Sequence, residues 1–216
     1  MVSAPLGIDR APSSAREREV GDEMNARDEY TPGPATGVQI HKSEGESWEL
    51  VVVRELRHPP EKVWQAITDP AHLREWSPFD ADKSLATAGV SVKLTTVNAP
   101  QPHITETRVM RADAPHFLEY MWGANPMRWE LEPIPGGTRL TLSTAINRNF
   151  ISMGAAGWHV CFDVLNHLLT GDPIGRLVGT DTMKFAGWQR LTNEYAQQFG
   201  LEPPKRFPQP QPPKSS

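Results

Sequence analysis

The sequence has a single cysteine and no long hydrophobic run, and each absence excludes a class of protein. One cysteine can form neither an internal disulfide nor a zinc site built from several cysteines, so a small disulfide-stabilised scaffold is excluded. No apolar run approaches the roughly 18–20 residues that a membrane-spanning helix needs. The N-terminal residues also lack the continuous apolar core of a signal peptide. We therefore expect a cytoplasmic protein with no membrane partner.

Positive charge is also scarce, since 22 basic residues face 26 acidic ones and the net charge is -4. This excess lies in residues 1–46, which hold 5 basic and 9 acidic residues. The rest of the chain is neutral, and it contains all 7 tryptophans, from Trp48 to Trp188. A mildly acidic protein is a poor partner for a polyanion, so we expect no nucleic acid as partner.

The two ends of the chain are poor in large apolar residues. Residues 1–46 are rich in Pro, Gly, Ser and charge, and 6 of the 21 prolines lie in the last fourteen residues. Such segments cannot bury enough surface to offset the entropy lost on ordering. We therefore predict a disordered arm over residues 1–46, one domain over residues 47–201 and a disordered proline-rich tail over residues 202–216.

The predicted domain opens with a strand and two short helices. Residues 48–56 are rich in β-branched side chains and predict the strand. Pro60 and Pro70 suit the first turn of a helix, because proline lacks an N–H that would have no partner there. Asp69 is a typical N-cap for the second helix, which Pro78 ends.

A meander of strands and then a long helix follow. Apolar and polar residues alternate over much of residues 90–146, as in strands that bury one face, and residues 135–137 (Pro-Gly-Gly) predict a hairpin turn. Residues 154–169 predict a helix that is apolar around most of its circumference, and residues 183–199 predict another. The fold class is therefore α+β, with a curved antiparallel sheet wrapped around a long C-terminal helix.

Four stretches carry a resemblance to a known family: PPEKVWQAITDPAHLREW, ETRVMRADAPHFLEYMWG, WELEPIPGGTRLTLSTA and GWHVCFDVLNHLLTG. In this order and spacing, over residues 47–200, they resemble the activator of heat-shock protein 90 ATPase-like group. That group belongs to the START-like (SRPBCC, helix-grip) superfamily. The chain departs from its pattern at Ala88-Gly89, at residues 98–102 and in GDPIGRLVGTDTMK after the long helix. These departures concern the rim of any cavity more than the fold.

The resemblance implies an apolar cavity between the sheet and the C-terminal helix, used across the superfamily to hold small hydrophobic molecules. It does not imply one chemistry, because relatives include transporters, chaperone cofactors and enzymes. We therefore expect a domain that binds a small hydrophobic ligand, as a monomer or homodimer and more in keeping with a binding protein than an enzyme. The alternatives are a module that contacts a chaperone ATPase and a cyclase- or hydrolase-type enzyme.

One polar stripe on the long helix is a candidate metal site. His159, Asp163 and His167 follow one another at four-residue spacing, so their side chains lie on one face of the helix. The same stripe follows from amphipathicity alone, since a helix buried on its other sides exposes its polar side to water. We predict a solvent-facing stripe, no metal and no cofactor.

Six aromatic residues lie on elements that converge inside such a fold, and they are candidates for the wall of a ligand pocket: Trp76, Phe79, Trp122, Trp129, Trp158 and Phe162. For any one of them ordinary core packing is the simpler explanation, and the two roles overlap because a wall residue also packs. Glu106 shares a face with Ile104 and Met110 and is the best candidate for a ligand-binding or catalytic carboxylate that points inward. Cys161 lies within an apolar helix, where a thiol is usually inert.

Overall fold

The computed structural model describes Arg27 and residues 29–43, 47–99, 101 and 103–204. Its elements follow in the order β1 (Val38–Lys42), β2 (Trp48–Leu56), α1 (Pro60–Thr68), α2 (Pro70–Trp76), β3 (Phe79–Ala81), β4 (Ser91–Thr96), β5 (Ile104–Arg108), β6 (Arg111–Asp113), β7 (Phe117–Trp122), β8 (Asn125–Ile134), β9 (Gly137–Ile146), a short 3-10 helix (Arg148–Phe150), α3 (Ile151–Thr170), α4 (Gly179–Lys184) and α5 (Ala186–Gln198). None of the helices in this part of the chain has both the length and the apolar character needed to cross a membrane.

The strands form a curved antiparallel sheet, which confirms the predicted fold class. Six strands pair in the order β1-β2-β9-β8-β7-β6, and β3, β4 and β5 pair in a second, three-stranded ladder. The two ladders meet where the backbone N–H of Met121 in β7 donates to Oγ1 of Thr107 in β5 over 3.2 Å. Helix α3 packs against the sheet, and their apolar side chains form one continuous core.

Local sequence signals decide the ends of several elements as expected. The side chain of Asp69 accepts a hydrogen bond from the backbone N–H of Ala71 over 2.7 Å and caps α2. Gly136 has a φ of 83° in the predicted hairpin between β8 and β9, a conformation that glycine adopts without strain. Gly171 ends α3 with a φ of 81°, the usual left-handed helix terminus.

The fold begins earlier in the chain than the predicted boundary at residue 47. Strand β1 pairs with β2 in the register Val38 to Val52, and it extends the sheet at that edge. Ahead of it, Tyr30 stacks on Phe185 with ring centroids 5.6 Å apart. The predicted arm contains few apolar residues, and the partners of the two that matter here are distant in the chain. Val38 pairs with β2, and Tyr30 packs on Phe185, which precedes the last helix. The remainder of the predicted arm and most of the predicted tail lie outside the described residues.

The prediction of a solvent-facing stripe on α3 is wrong for His159, the first of its three residues. His159 is 2% exposed, because α5 packs over it. The hydroxyl of Tyr195 donates to the carbonyl of Thr36 over 2.8 Å and accepts from the Thr36 N–H over 3.2 Å. Nδ1 of His159 lies 2.8 Å from the same hydroxyl, within hydrogen-bond distance.

Asp163 completes this network from the next turn of α3. Its Oδ2 accepts a hydrogen bond from the Tyr30 hydroxyl over 2.7 Å and lies 3.4 Å from Nε2 of His159, while Nε of Arg54 is 3.9 Å from Oδ1. Burial acts to raise the pKa of Asp163, but His159, Tyr30 and Arg54 outweigh it and hold the pKa below its usual range. The stripe thus ties three separate parts of the chain together.

The Tyr195 hydroxyl gives the first prediction. Tyr195→Phe leaves Thr36 and His159 without their buried partner, so we expect the free energy of unfolding to fall by about 2–4 kcal/mol. Tyr120→Phe is the matched control, since Tyr120 is equally buried but its hydroxyl serves only Nε1 of Trp129, at 3.1 Å. That control should lose about 1 kcal/mol in urea unfolding followed by circular dichroism. Equal losses in the two variants would contradict the assigned network.

Candidate functional site

A cavity of about 340 Å³ lies beside the first half of α3, at one end of the interface between that helix and the sheet. Its walls come from the loop after α2, from β7, from α3 and from the segment that follows α3. The lining residues are Pro78, Trp122, Phe150, Met153, Gly154, Gly157, Trp158, Cys161, Val178, Gly179, Thr182, Met183 and Trp188. Ligand sites are typically concave and mainly apolar, with volumes of about 300–1,000 Å³.

Helix α3 forms one wall of the cavity through residues spaced three and four apart. Gly154, Gly157, Trp158 and Cys161 all line it, and this spacing places them on one helical face. The two glycines leave part of this wall without side chains. The exposed ring of Phe150, just ahead of α3, also lines the space.

The opposite wall is the segment from Val178 to Trp188, and Asn98 attaches it to the sheet side. The carbonyl of Asn98 accepts from the backbone N–H of Thr180 over 2.9 Å, and its side-chain amide donates to Oδ2 of Asp181 over 3.0 Å. A Cβ on Gly179 would lie 2.3 Å from the Asn98 carbonyl oxygen, and its φ is 60°. Only glycine allows this close approach.

Arg176 fixes the loop that leads into this wall. Its Nη2 donates to Oδ1 of Asp80 over 2.6 Å and to the carbonyl of Leu73 over 3.0 Å. The guanidinium of Arg27 reaches over and donates to the carbonyl of Arg176 over 2.6 Å. The segment after α3 is therefore attached to β3, to α2 and to the N-terminal part of the fold.

Two polar side chains line an otherwise apolar space. Burial raises the pKa of the Cys161 thiol to about 12, so it is protonated near neutral pH and is a poor nucleophile. Thr182 is only 5% exposed, and its buried Oγ1 has no hydrogen-bond partner among the described residues. None of the described residues that line the cavity is charged.

The six predicted aromatics do come together, but only two of them reach the cavity. Trp122 and Trp158 line it, with ring centroids 6.3 Å apart and an interplanar angle of 82°. Trp76, Phe79, Trp129 and Phe162 are buried behind them. Trp129 stacks on Phe162 at 6.0 Å and meets Trp76 edge-on at 6.0 Å. These four fill the space between sheet and helix, so the open volume lies at its end.

Glu106 does not point inward, so that prediction is wrong. Its side chain is 77% exposed on β5, where Nζ of Lys93 lies 3.4 Å from Oε1. Ile104 and Met110 are exposed too, at 59% and 50%. The face that Glu106 shares with them is the outer face of the sheet, and Thr107 of β5 is the buried neighbour.

The candidate metal site on α3 does not form a cluster of ligands in the part of the chain that the structure describes. No group of three or more His, Cys, Asp or Glu residues there could hold a metal ion. Asp163 pairs with His159, whereas His167 lies 3.6 Å from Asp172 beyond the end of α3.

Sequence reasoning missed most of the cavity wall. Gly157, Thr182, Met183 and Trp188 line the cavity, yet none was a candidate site residue. The available signal was the segment GDPIGRLVGTDTMK, where the sequence departs from the pattern that it otherwise resembles and which contains Gly179, Thr182 and Met183. A departure of this kind shows where the wall differs, but it does not show which side chains face the space.

The domain matches a known family by sequence. The model of the family described as polyketide cyclase/dehydrase and lipid transport matches residues 47–165. No curated protein is significantly similar to the chain.

Solved structures share the fold at low sequence identity. The conserved protein of unknown function EF2215 from Enterococcus faecalis has a TM-score of 0.57 and 16% identity, over 76% of this chain and 92% of its own. CalU16 from Micromonospora echinospora has a TM-score of 0.55 and 18% identity, over 77% of this chain and 96% of its own. DynU16, a protein of the dynemicin biosynthetic locus, has a TM-score of 0.53 and 20% identity, over 61% of this chain and 51% of its own.

The unpartnered hydroxyl of Thr182 gives the second prediction. Thr182→Val keeps the branched shape and removes a buried polar group, so we expect the free energy of unfolding to rise by about 1 kcal/mol. Thr192→Val is the matched control, because Oγ1 of Thr192 donates to the carbonyl of Trp188 over 2.9 Å. It should lower the free energy of unfolding by about 0.5–1 kcal/mol. Urea unfolding measures both, and a larger loss in Thr182→Val would contradict the assignment.

Proposed function

The chain belongs to the polyketide cyclase/dehydrase and lipid transport family of the START-like superfamily, and we propose that it binds a small hydrophobic molecule in the cavity beside α3. The observation that carries this proposal is the cavity itself, whose described lining is apolar except for Cys161 and Thr182. Removing apolar surface from water is the main source of affinity that such walls offer a ligand.

The aromatic cluster behind the cavity supports a binding role. Trp122 and Trp158 rest on Phe79 and Trp129, with ring centroids 5.2 Å and 5.9 Å apart. A wall held from behind in this way loses little side-chain entropy when a ligand arrives. DynU16 shares this fold and belongs to a biosynthetic locus, which fits a protein that handles small molecules.

Catalysis has less support from the described lining residues. Glu106, the main candidate carboxylate for a cyclase- or hydrolase-type enzyme, is on the outer face of the sheet. Cys161 lines the cavity, but burial raises its pKa far above neutral. A positioned acid or base with a pKa near the working pH is what such reactions require. We therefore propose a binding protein rather than an enzyme.

Three finer predictions have no support of their own from the described residues. They are membership of the activator of heat-shock protein 90 ATPase-like group, a chaperone ATPase as partner, and the cytoplasmic location. All three stay predictions.

The third prediction tests the cavity directly with N-phenyl-1-naphthylamine, an uncharged dye that fluoresces in apolar surroundings. The wild-type protein should bind it. Met183→Arg places a charge on the cavity wall and should weaken binding at least about tenfold, because the guanidinium loses water when the dye enters. Met110→Arg is the matched control, since Met110 is half exposed on the outer sheet face, and it should leave the affinity unchanged.

Cys161 supplies a second readout because it is the one cysteine in the sequence and it lines the cavity. Because the thiol is protonated near neutral pH, its reaction with a small uncharged thiol reagent, methyl methanethiosulfonate, is slow, and bound dye should slow it further, as followed by mass spectrometry. Absence of dye binding to the wild type, or equal weakening in both arginine variants, would refute binding in this cavity.

A further inference from the structure

We infer that Gly157 sets the size limit of the ligand, and that the ligand is an uncharged molecule with a flat ring system that lies against α3 at this residue. The inference rests on the proposed function and deepens it, because it names the chemical class that the cavity accepts and the residue that selects it.

Glycine at position 157 is unfavourable for the helix that contains it. The residue lies in the interior of α3 (Ile151–Thr170), where glycine costs about 1 kcal/mol relative to alanine because its backbone loses more freedom. Such a glycine usually allows a close approach of another chain segment. Close packing explains the glycine at position 154, about one turn earlier, because a Cβ there would lie 2.6 Å from Cδ1 of Ile146.

Gly157 does not have that explanation. Apart from its two chain neighbours and the nearby backbone of α3, a Cβ built at this position would have one neighbour within 4 Å among the described residues, Nε1 of Trp188 at 3.9 Å, which is an ordinary contact distance. A methyl group in a packed interior touches several atoms at such distances. The space beside Gly157 therefore belongs to the cavity, and the missing side chain keeps it open.

The surroundings of this space favour a flat ring. The bare helix backbone at Gly157 adjoins the indole of Trp158, which meets Trp122 edge-on. Aromatic molecules pack on such rings in offset-stacked or edge-to-face geometry. Thr182 lines the same cavity, and its buried Oγ1 has no hydrogen-bond partner among the described residues.

The charges around the cavity favour an uncharged ligand. Among the described residues that line it, none offers a cation or an anion. The charged groups closest in sequence, Asp181 and Lys184 of α4, pair with each other over 3.5 Å and are about half exposed. Arg176, whose charge acts on Cys161, is paired with Asp80 over 2.6 Å. A carboxylate or sulfonate in this cavity would lose its water without gaining an ion pair, which is strongly unfavourable.

Two dyes with one skeleton test the charge preference. N-Phenyl-1-naphthylamine is uncharged, and 8-anilino-1-naphthalenesulfonate is the same ring system with a sulfonate. We expect the wild-type protein to bind the uncharged dye at least about tenfold more tightly in fluorescence titrations. Equal or tighter binding of the sulfonate would overturn the uncharged class.

Substitutions at Gly157 test the size limit. Gly157→Ala should raise the melting temperature by about 2–4 °C, because alanine favours the helix. It should lower the affinity for the uncharged dye. Gly157→Leu, whose side chain fills the space, should lower that affinity at least about tenfold. Asn166→Ala is the matched control: it also favours α3, at an exposed position outside the cavity, so it should leave dye binding unchanged.

The outcomes separate this inference from the proposed function. Failure of the wild type to bind either dye, with no slowing of the Cys161 reaction, would refute the binding function itself. Tight binding by the wild type together with unchanged affinity in a folded Gly157→Leu protein would refute the role of Gly157 and leave the binding function standing. A loss of affinity in Asn166→Ala equal to that in Gly157→Leu would likewise refute the size limit.

Discussion

Enclosure of helix α3 is the constraint on which the rest of the structure depends. The sheet covers one side of this helix, and α5 and the segment around Tyr30 cover the other. His159 is therefore removed from water and Asp163 largely so, and a buried polar group without a partner costs about 1–3 kcal/mol. His159 and Asp163 obtain their partners from α5, from β2 and from the N-terminal segment. The hydrogen bonds and ion pairs that His159 and Asp163 need thus hold those three parts of the chain in place.

The cavity follows from this enclosure. Where α3 carries large residues, such as Trp158, Phe162 and Leu165, the aromatic and aliphatic core fills the space on the sheet side. Around Gly157 the helix has too little side chain to fill the space up to the segment that crosses it. That segment cannot move closer, because Asn98 and Asp80 attach it to the sheet side. An apolar space remains between two fixed walls.

This origin explains the chemical character of the site. The ionisable groups of α3 lie on the side that is used for assembly, where Asp163 pairs with His159 and with the N-terminal segment. The side that faces the cavity carries glycines, tryptophan and a protonated thiol. A site with these walls can remove a small apolar molecule from water. It offers little to proton transfer, which supports the proposal of a binding protein.

The sequence alone determined the fold class, the β8–β9 hairpin and the ends of several elements, because capping, turn chemistry and apolar periodicity act over a few neighbouring residues. Asp69, Gly136 and Gly171 are examples. It also identified aromatics that meet in space. It could not decide which face of β5 is buried, and so placed Glu106 inside, nor that α5 would cover His159. Those outcomes, like the open space at Gly157, were decided only by the tertiary structure, since they depend on contacts between residues far apart in the chain.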